Sequence, residues 1–143
     1  MLIFPLKKQW YEKIKSGEKT IEYREVKPYW TSRLISFYKE NTEKDDDFHR
    51  YIVDWGNGFY DTEFYITPSK MFVDDLKTKF RKITFVNAYC QLRLGYTDTL
   101  MIARITEIEI VDGKDTDLAI DKPVYAIHLT DVKEDFITNE TID

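Results

Sequence analysis

Cysteine, histidine and glycine are scarce in this chain, and each shortage excludes a class of protein. Among its 143 residues there is one cysteine, Cys90, so an internal disulfide framework is excluded. Two histidines, His49 and His128, and one cysteine do not make a zinc site, so we expect no metal and no cofactor. The sequence also lacks a phosphate-binding glycine-rich loop and a Gly-x-Ser-x-Gly elbow. These absences argue against a nucleoside triphosphatase and a serine hydrolase.

Long apolar runs are missing as well. None approaches the roughly 18 residues that predict a membrane-spanning helix, and no charged-then-apolar leader begins the sequence. We therefore expect a soluble, cytoplasmic protein with no membrane contact. The length is typical of one domain, which we place at residues 1–136 with a frayed tail at 137–143.

The charge is unevenly distributed along the chain. The formal net charge is -5, which by itself disfavours a nucleic-acid partner. Residues 1–39, however, contain nine Lys or Arg and four Glu, an excess of five positive charges. Because phosphate binding depends on the local field, this segment fits either a nucleic-acid contact or a solvated lysine-rich helix face.

Residues 17–24, the sequence GEKTIEYR, are the most informative segment. Before them, Leu6, Trp10 and Ile14 are spaced four apart, which predicts a helix over residues 6–16 that ends at Gly17. After Gly17, residues 20–24 alternate polar and apolar side chains, which predicts a strand. We expect Ile21 and Tyr23 to face the core. The polar residues Thr20, Glu22 and Arg24 should form a row on the other face, with Lys19 beside it.

The spacing Gly-x-Lys-x-x-Glu-x-Arg after an amphipathic helix resembles the signature of the ASCH domain family. Gly17, Lys19, Glu22 and Arg24 match its four positions. Residues 29–34, 83–89 and 123–129 resemble a short helix and two later strands of the family, so the resemblance covers residues 1–35 and 82–132. It implies an α+β fold, a PUA-like small β-barrel with an N-terminal helix, and makes residues 36–80 an inserted segment.

The family also implies a function. ASCH domains resemble RNA-binding PUA domains and have a cleft lined by the signature residues, with proposed roles in RNA binding or modification. A few relatives are amidohydrolases that act on N4-acetylcytidine, and some are connected with ribonuclease activity. In the amidohydrolases the signature lysine, here Lys19, works with a threonine and a downstream glutamate. Glu22 occupies the position of that threonine, and Thr20 is a nearby hydroxyl.

Three hypotheses follow. In the first, the chain binds RNA or a nucleotide through Lys19, Glu22 and Arg24, with Tyr89 and Arg93 on the opposite wall of the cleft. No oligomeric state is predicted.

In the second hypothesis the chain is a hydrolase of N4-acylated cytidine or of RNA phosphodiesters. Its catalytic residues are Lys19, Glu22 and Thr20, with Glu22 as a general base that must be buried to be effective. A second carboxylate or hydroxyl within reach of Lys19 is expected, and Thr20, Asp98 and Glu107 are candidates.

In the third hypothesis the segment at 36–80 binds a protein. Residues 54–60 are interpreted as a turn flanked by aromatic residues. Trp55, Phe59 and Tyr60 would form the contact surface, or would stack on a base in the first hypothesis. The remaining patterns predict a helix over 70–81, strands over 82–89, 99–111 and 123–132, and a turn at 112–113.

Overall fold

A computed structural model describes residues 1–59, 66–80 and 82–135. These residues form five strands and four α-helices, which confirms the α+β class. In chain order they are β1 (Leu2–Leu6), α1 (Lys8–Lys15), β2 (Ile21–Glu25), α2 (Pro28–Asn41), α3 (Asp47–Phe59), α4 (Ile66–Asp75), β3 (Ile83–Leu94), β4 (Leu100–Asp112) and β5 (Pro123–Glu134).

The five strands form one sheet in the order β1-β3-β4-β5-β2. β1 runs parallel to β3, and the other neighbours are antiparallel. The sheet curls into a half-barrel. The two edge strands approach each other, since the Arg24 guanidinium on β2 donates to the Pro5 carbonyl on β1 over 3.1 Å. We call the gap between β1 and β2 the seam.

The core fills the concave side of the sheet. Each strand contributes inward-facing side chains, among them Phe4, Cys90 and Ile127, which are fully buried. Helix α2 covers this side, where its Trp30 stacks on Phe4 with ring centroids 5.4 Å apart. The α2 helix is also tied to the sheet by a buried hydrogen bond of 2.7 Å between hydroxyl groups, those of Thr31 and Tyr125.

The segment at 36–80 is part of this core. Helix α2 continues to Asn41, and α3 packs against it. Side chains from the segment belong to the same buried cluster as those of the sheet; they are Phe37, Tyr38, Phe48, Ile52, Phe72, Val73 and Leu76.

The turn predicted at 54–60 is wrong, because α3 continues through Phe59. Phe48 and Ile52 lie one helical turn apart, and both are buried. Their packing outweighs the low helix propensity of the two glycines that follow. The helix predicted over 70–81 is present, but it begins at Ile66 and changes to a π-helical turn at Leu76–Phe80.

At the N-terminus the sequence missed a strand. Leu6 belongs to β1, and the helix predicted over 6–16 covers Lys8–Lys15. The three later strands are present and extend beyond their predicted ends, and a short 3₁₀ turn at Gly113–Asp115 occupies the predicted turn. None of the described helices is long and apolar enough to cross a membrane.

Candidate functional site

The end of α1 fixes the position of Lys19. Gly17 adopts a left-handed φ of 84°, as its place at the helix end predicts, and its N–H donates to the Ile14 carbonyl over 3.1 Å. The backbone N–H of Lys19 then donates to the Lys13 carbonyl over 3.0 Å. These two bonds hold the backbone of Lys19 against the last turn of α1, two residues before β2 begins.

The Lys19 ammonium lies between two aromatic rings and two carboxylates. Its Nζ is 5.3 Å from the centroid of the Trp10 ring and 5.0 Å from that of Tyr23. It forms an ion pair with Asp117, and Glu22 Oε1 lies 3.8 Å away. Only 10% of the Lys19 side chain is exposed. The ammonium is therefore held in one place by cation–π and charge contacts.

Glu22 is buried, which reverses the predicted orientation of β2. Glu22 is 6% exposed, whereas Ile21 and Tyr23 are half-buried on the other face. The curl of the sheet points Glu22 into the concave side, where the apolar pair was expected. Burial raises the pKa of the Glu22 carboxyl, although Arg24, Lys19 and the backbone N–H of Tyr23 favour its charged form. Desolvation is the largest of these effects.

Arg24 points to the same side as Glu22 and bridges the seam. Its Nη2 atom donates to the Pro5 carbonyl and lies 3.4 Å from Glu22 Oε2. Its guanidinium also packs over Trp30, 4.6 Å from the ring centroid, and over Phe4 at 5.1 Å. Among the described residues nothing accepts a hydrogen bond from its buried Nε. Arg24 thus holds Glu22 in position and joins the two edge strands.

A groove of about 280 Å³ opens in front of Lys19, and its walls come from α1, the start of β2 and the segment before β5. Its lining residues are Trp10, Lys13, Glu18, Lys19, Thr20, Ile21, Tyr23 and Asp117. Glu22 and Arg24 are not among them. The groove, which we call the Lys19 groove, thus presents two ammonium groups, two aromatic rings and two carboxylates to a ligand, those of Lys13 and Glu18 being exposed.

The structure does not bring all the predicted site residues together. Thr20 lines the Lys19 groove with an exposed side chain. Tyr89 and Arg93 alternate with the buried Cys90 and Leu92 along β3, so they lie on the outer face of the sheet and do not line the groove. There the Arg93 guanidinium donates a hydrogen bond to the side-chain oxygen of Gln91.

The second carboxylate near Lys19 is Asp117, which the sequence interpretation missed. The predicted candidates lie elsewhere: Asp98 is exposed in the turn between β3 and β4, and Glu107 lies on β4 beside Lys82. Asp117 is 98 residues from Lys19 and belongs to no local pattern. Trp10, which the spacing placed on one helix face with Ile14, is half-buried, and its ring lies beside the ammonium groups of Lys13 and Lys19.

The aromatic residues of the third hypothesis stay untested. The side chains of Trp55 and Phe59, and Tyr60 entirely, lie outside the described residues. The tail predicted at 137–143 lies outside them as well.

Comparison of the chain with protein-family models, with curated proteins and with solved structures finds no match. The ASCH resemblance therefore rests on the signature residues and the elements that flank them.

Proposed function

We propose that the Lys19 groove binds a nucleotide or one nucleotide of a single-stranded RNA. The observation that carries the proposal is the Lys19 ammonium, fixed between two aromatic rings at the floor of an open groove. Cations and aromatic side chains in one groove are the combination that binds single-stranded nucleic acids, because phosphate attracts the charge and any base can stack on a ring. A volume of about 280 Å³ is at the small end for ligand sites, which fits a single nucleotide.

In this proposal a base stacks on Trp10 or Tyr23 and a phosphate contacts Lys19. Stacking of one base on an aromatic ring contributes about 1–3 kcal/mol. Lys13 is exposed, with its Nζ 5.2 Å from the Trp10 ring centroid, and supplies a second positive charge at the rim. The basic character of residues 1–39 strengthens the local field that attracts phosphate.

Asp117 competes with the ligand for Lys19. A phosphate that binds Lys19 takes the place of the Asp117 carboxylate, whose side chain is 34% exposed and has water available when it leaves. Replacing Asp117 with Asn removes this competitor and keeps the size of the side chain. A partly exposed ion pair is worth about 1 kcal/mol at most, so affinity should rise by up to about fivefold.

In this proposal Glu22 and Arg24 do not contact the ligand, whereas the sequence pattern predicted that they bind it directly. Glu22 lies 3.8 Å from Lys19 Nζ on the side away from the groove, and Arg24 holds Glu22. A carboxylate that is kept in a buried place despite its desolvation cost is typical of a functional site. Glu22 thus helps to position the Lys19 ammonium.

The test is a fluorescence-anisotropy titration of a labelled single-stranded RNA with four proteins: wild type, Lys19→Ala, Asp117→Asn and Lys8→Ala. Lys8 is exposed at the start of α1, so its replacement removes the same charge from the same basic segment. Loss of a charge-assisted hydrogen bond costs about 1.5–3 kcal/mol, so Lys19→Ala should weaken binding roughly 10- to 100-fold. If the Lys8 and Lys19 variants weaken binding equally, RNA binds through the general positive charge of the segment, and the proposal is wrong.

Hydrolysis is a second candidate function, and the observation that favours it is the buried Glu22 carboxyl with its raised pKa beside a cation. Because Glu22 does not line the groove, the reacting water would have to reach its carboxylate beside Lys19. Glu22 would take a proton from that water as it attacks the acyl or phosphoryl group, and Lys19 would stabilise the oxyanion that forms there. Incubation of RNA or of an N4-acylated cytidine with wild type and Glu22→Gln, followed by separation of the products, tests this directly. Products that form with wild type and not with the Gln variant would make the protein a hydrolase.

On the strength of the signature and the curled sheet, we extend the proposal to the family: an ASCH-type, PUA-like domain with an RNA or nucleotide ligand in the cytoplasm. The curled five-stranded sheet and the helix before the signature strand support this assignment.

A further inference from the structure

Three side chains of the types that can bind a metal ion lie together on the outer face of the sheet, away from the core. They are Glu107 and Glu109 on β4 and His128 on β5, and one donor atom from each lies within 4.8 Å of the others. His128 Nε2 and Glu109 Oε1 are 3.0 Å apart. All three side chains are half-buried. The count of histidines and cysteines in the sequence overlooked this group because carboxylates supply two of its three donors.

A β-bulge produces the arrangement. Ile105 pairs with Leu129 and Glu107 pairs with His128, so two β4 residues oppose one β5 residue at this point. Beyond the bulge, the buried Ile108 points inward, and Glu107 and Glu109 point outward together. Without the extra residue, the alternation of β4 would turn the other face of the strand towards His128. Bulges commonly re-aim side chains at functional sites.

We propose that Glu107, Glu109 and His128 bind a divalent transition-metal ion such as Zn²⁺. One imidazole and two carboxylates form a mixed nitrogen and oxygen donor set, which first-row divalent ions accept. Donors about 2 Å from Zn²⁺ in a tetrahedral site lie about 3.4 Å apart, so the half-exposed carboxylates need only small side-chain movements to close on the ion. Three protein ligands leave a coordination position for water or a substrate.

The surroundings show what competes with the ion. Lys82 Nζ lies 3.8 Å from Glu107 Oε2, and its side chain is 58% exposed, so it can turn away into solvent. Ile21 of the Lys19 groove pairs directly with His128, and Tyr23 pairs with Ala126, which pairs with Glu109. Neighbouring strands are about 4.8 Å apart, so the backbone of Tyr23 is about 10 Å from that of Glu109. The metal site and the groove therefore share one face of the sheet.

The experiment is a calorimetric titration of the full chain with Zn²⁺ alone, in a buffer that does not bind metals. Wild type should bind one ion per chain. His128→Ala and Glu109→Gln should each weaken binding by more than the roughly 10- to 100-fold lost when an outer partner of a metal ligand is removed. Lys82→Met should tighten binding, since it removes the competing charge. His49→Gln, which replaces the histidine on α3, is the matched control and should leave the affinity unchanged.

A second readout keeps the test independent of folding in the variants. The imidazole ¹⁵N resonances of wild type should show His128 Nε2 shifted on addition of Zn²⁺ while those of His49 stay in place. Absence of Zn²⁺ binding by wild type would overturn the proposal. So would a His128→Ala variant that binds as wild type does, or an ion that shifts His49. Because no nucleic acid is present, these outcomes are separate from success or failure of the RNA proposal.

Discussion

Replacing Glu22 with Gln should remove a loss of folding stability that occurs as the pH rises. The reason is that desolvation of the buried Glu22 carboxylate outweighs its attraction to Arg24 and Lys19. Burial raises the pKa of Glu22 above its ordinary value of 4.5, against the pull of Arg24 and Lys19. The native state then binds the Glu22 proton more readily than the unfolded chain does. The free energy of unfolding that Glu22 contributes is therefore fully present below pH 4.5 and is lost as the pH rises through the native-state pKa.

The size of the effect follows from the single proton. Between the two pKa values, wild type loses at most about 1.4 kcal/mol of stability per pH unit relative to a variant that cannot ionise. Gln keeps the shape of the side chain and an oxygen that accepts from the Tyr23 N–H, a bond of 3.1 Å in the wild type. The two proteins should therefore have similar stability below pH 4.5, and the Gln variant should be the more stable at pH 7.

The assay is urea unfolding of wild type and Glu22→Gln at several pH values from 4 to 8, followed by circular dichroism. Subtracting the two curves cancels the titrating groups that do not interact with Glu22, so the difference reports Glu22 and its coupling to Lys19, Arg24 and Asp117. A wild-type stability that rises with pH relative to the variant would contradict this prediction, because it would mean that the two cations outweigh desolvation. Such a result would mean that the ion pairs of Glu22 with Lys19 and Arg24 stabilise the fold.

Three further predictions concern folding. Gly17→Ala should lower the free energy of unfolding, measured with urea, by about 1–2 kcal/mol. The cost comes from the left-handed φ alone, because an added Cβ would meet no atom within 4 Å, and Gly17→Asn should cost less. Thr31→Val should cost about 1–3 kcal/mol by leaving the buried Tyr125 hydroxyl without its partner, and Tyr125→Phe in the same chain should restore part of the loss. Burial raises the pKa of Cys90 to about 12, so a thiol reagent should label the protein only as fast as it unfolds; labelling of folded protein would contradict the burial.

Local patterns in the sequence predicted the elements around the candidate site. The helix stop at Gly17 and the strand at residues 21–25 follow from short-range backbone preferences, which act whatever the rest of the chain does. They were enough to place Lys19 between a helix and a strand. The strand β1 was missed because Pro5 and the spacing from Leu6 favour a helix, whereas parallel pairing with β3, 88 residues later, decides the structure.

The partners of Lys19 could not be predicted from the sequence. Alternation in a strand gives two faces but not which of them is concave, so Glu22 was placed on the wrong side of β2. Asp117 reaches Lys19 only because the segment between β4 and β5 lies beside α1 and the start of β2. The same limit applies to His128, which meets Glu109 through the pairing of β4 with β5 and the bulge between them.

Ligand binding in the Lys19 groove is tested most simply by an NMR titration of ¹⁵N-labelled protein with a nucleoside monophosphate. The Trp10 indole N–H and the Tyr23 amide report the two rings of the Lys19 groove, and the indole of the buried Trp30 serves as an internal reference. We expect saturable shifts at Trp10 and Tyr23 that disappear in Lys19→Ala and persist in Lys8→Ala. Saturable shifts centred elsewhere on the protein, or the same shifts in the Lys19 variant, would exclude binding in this groove.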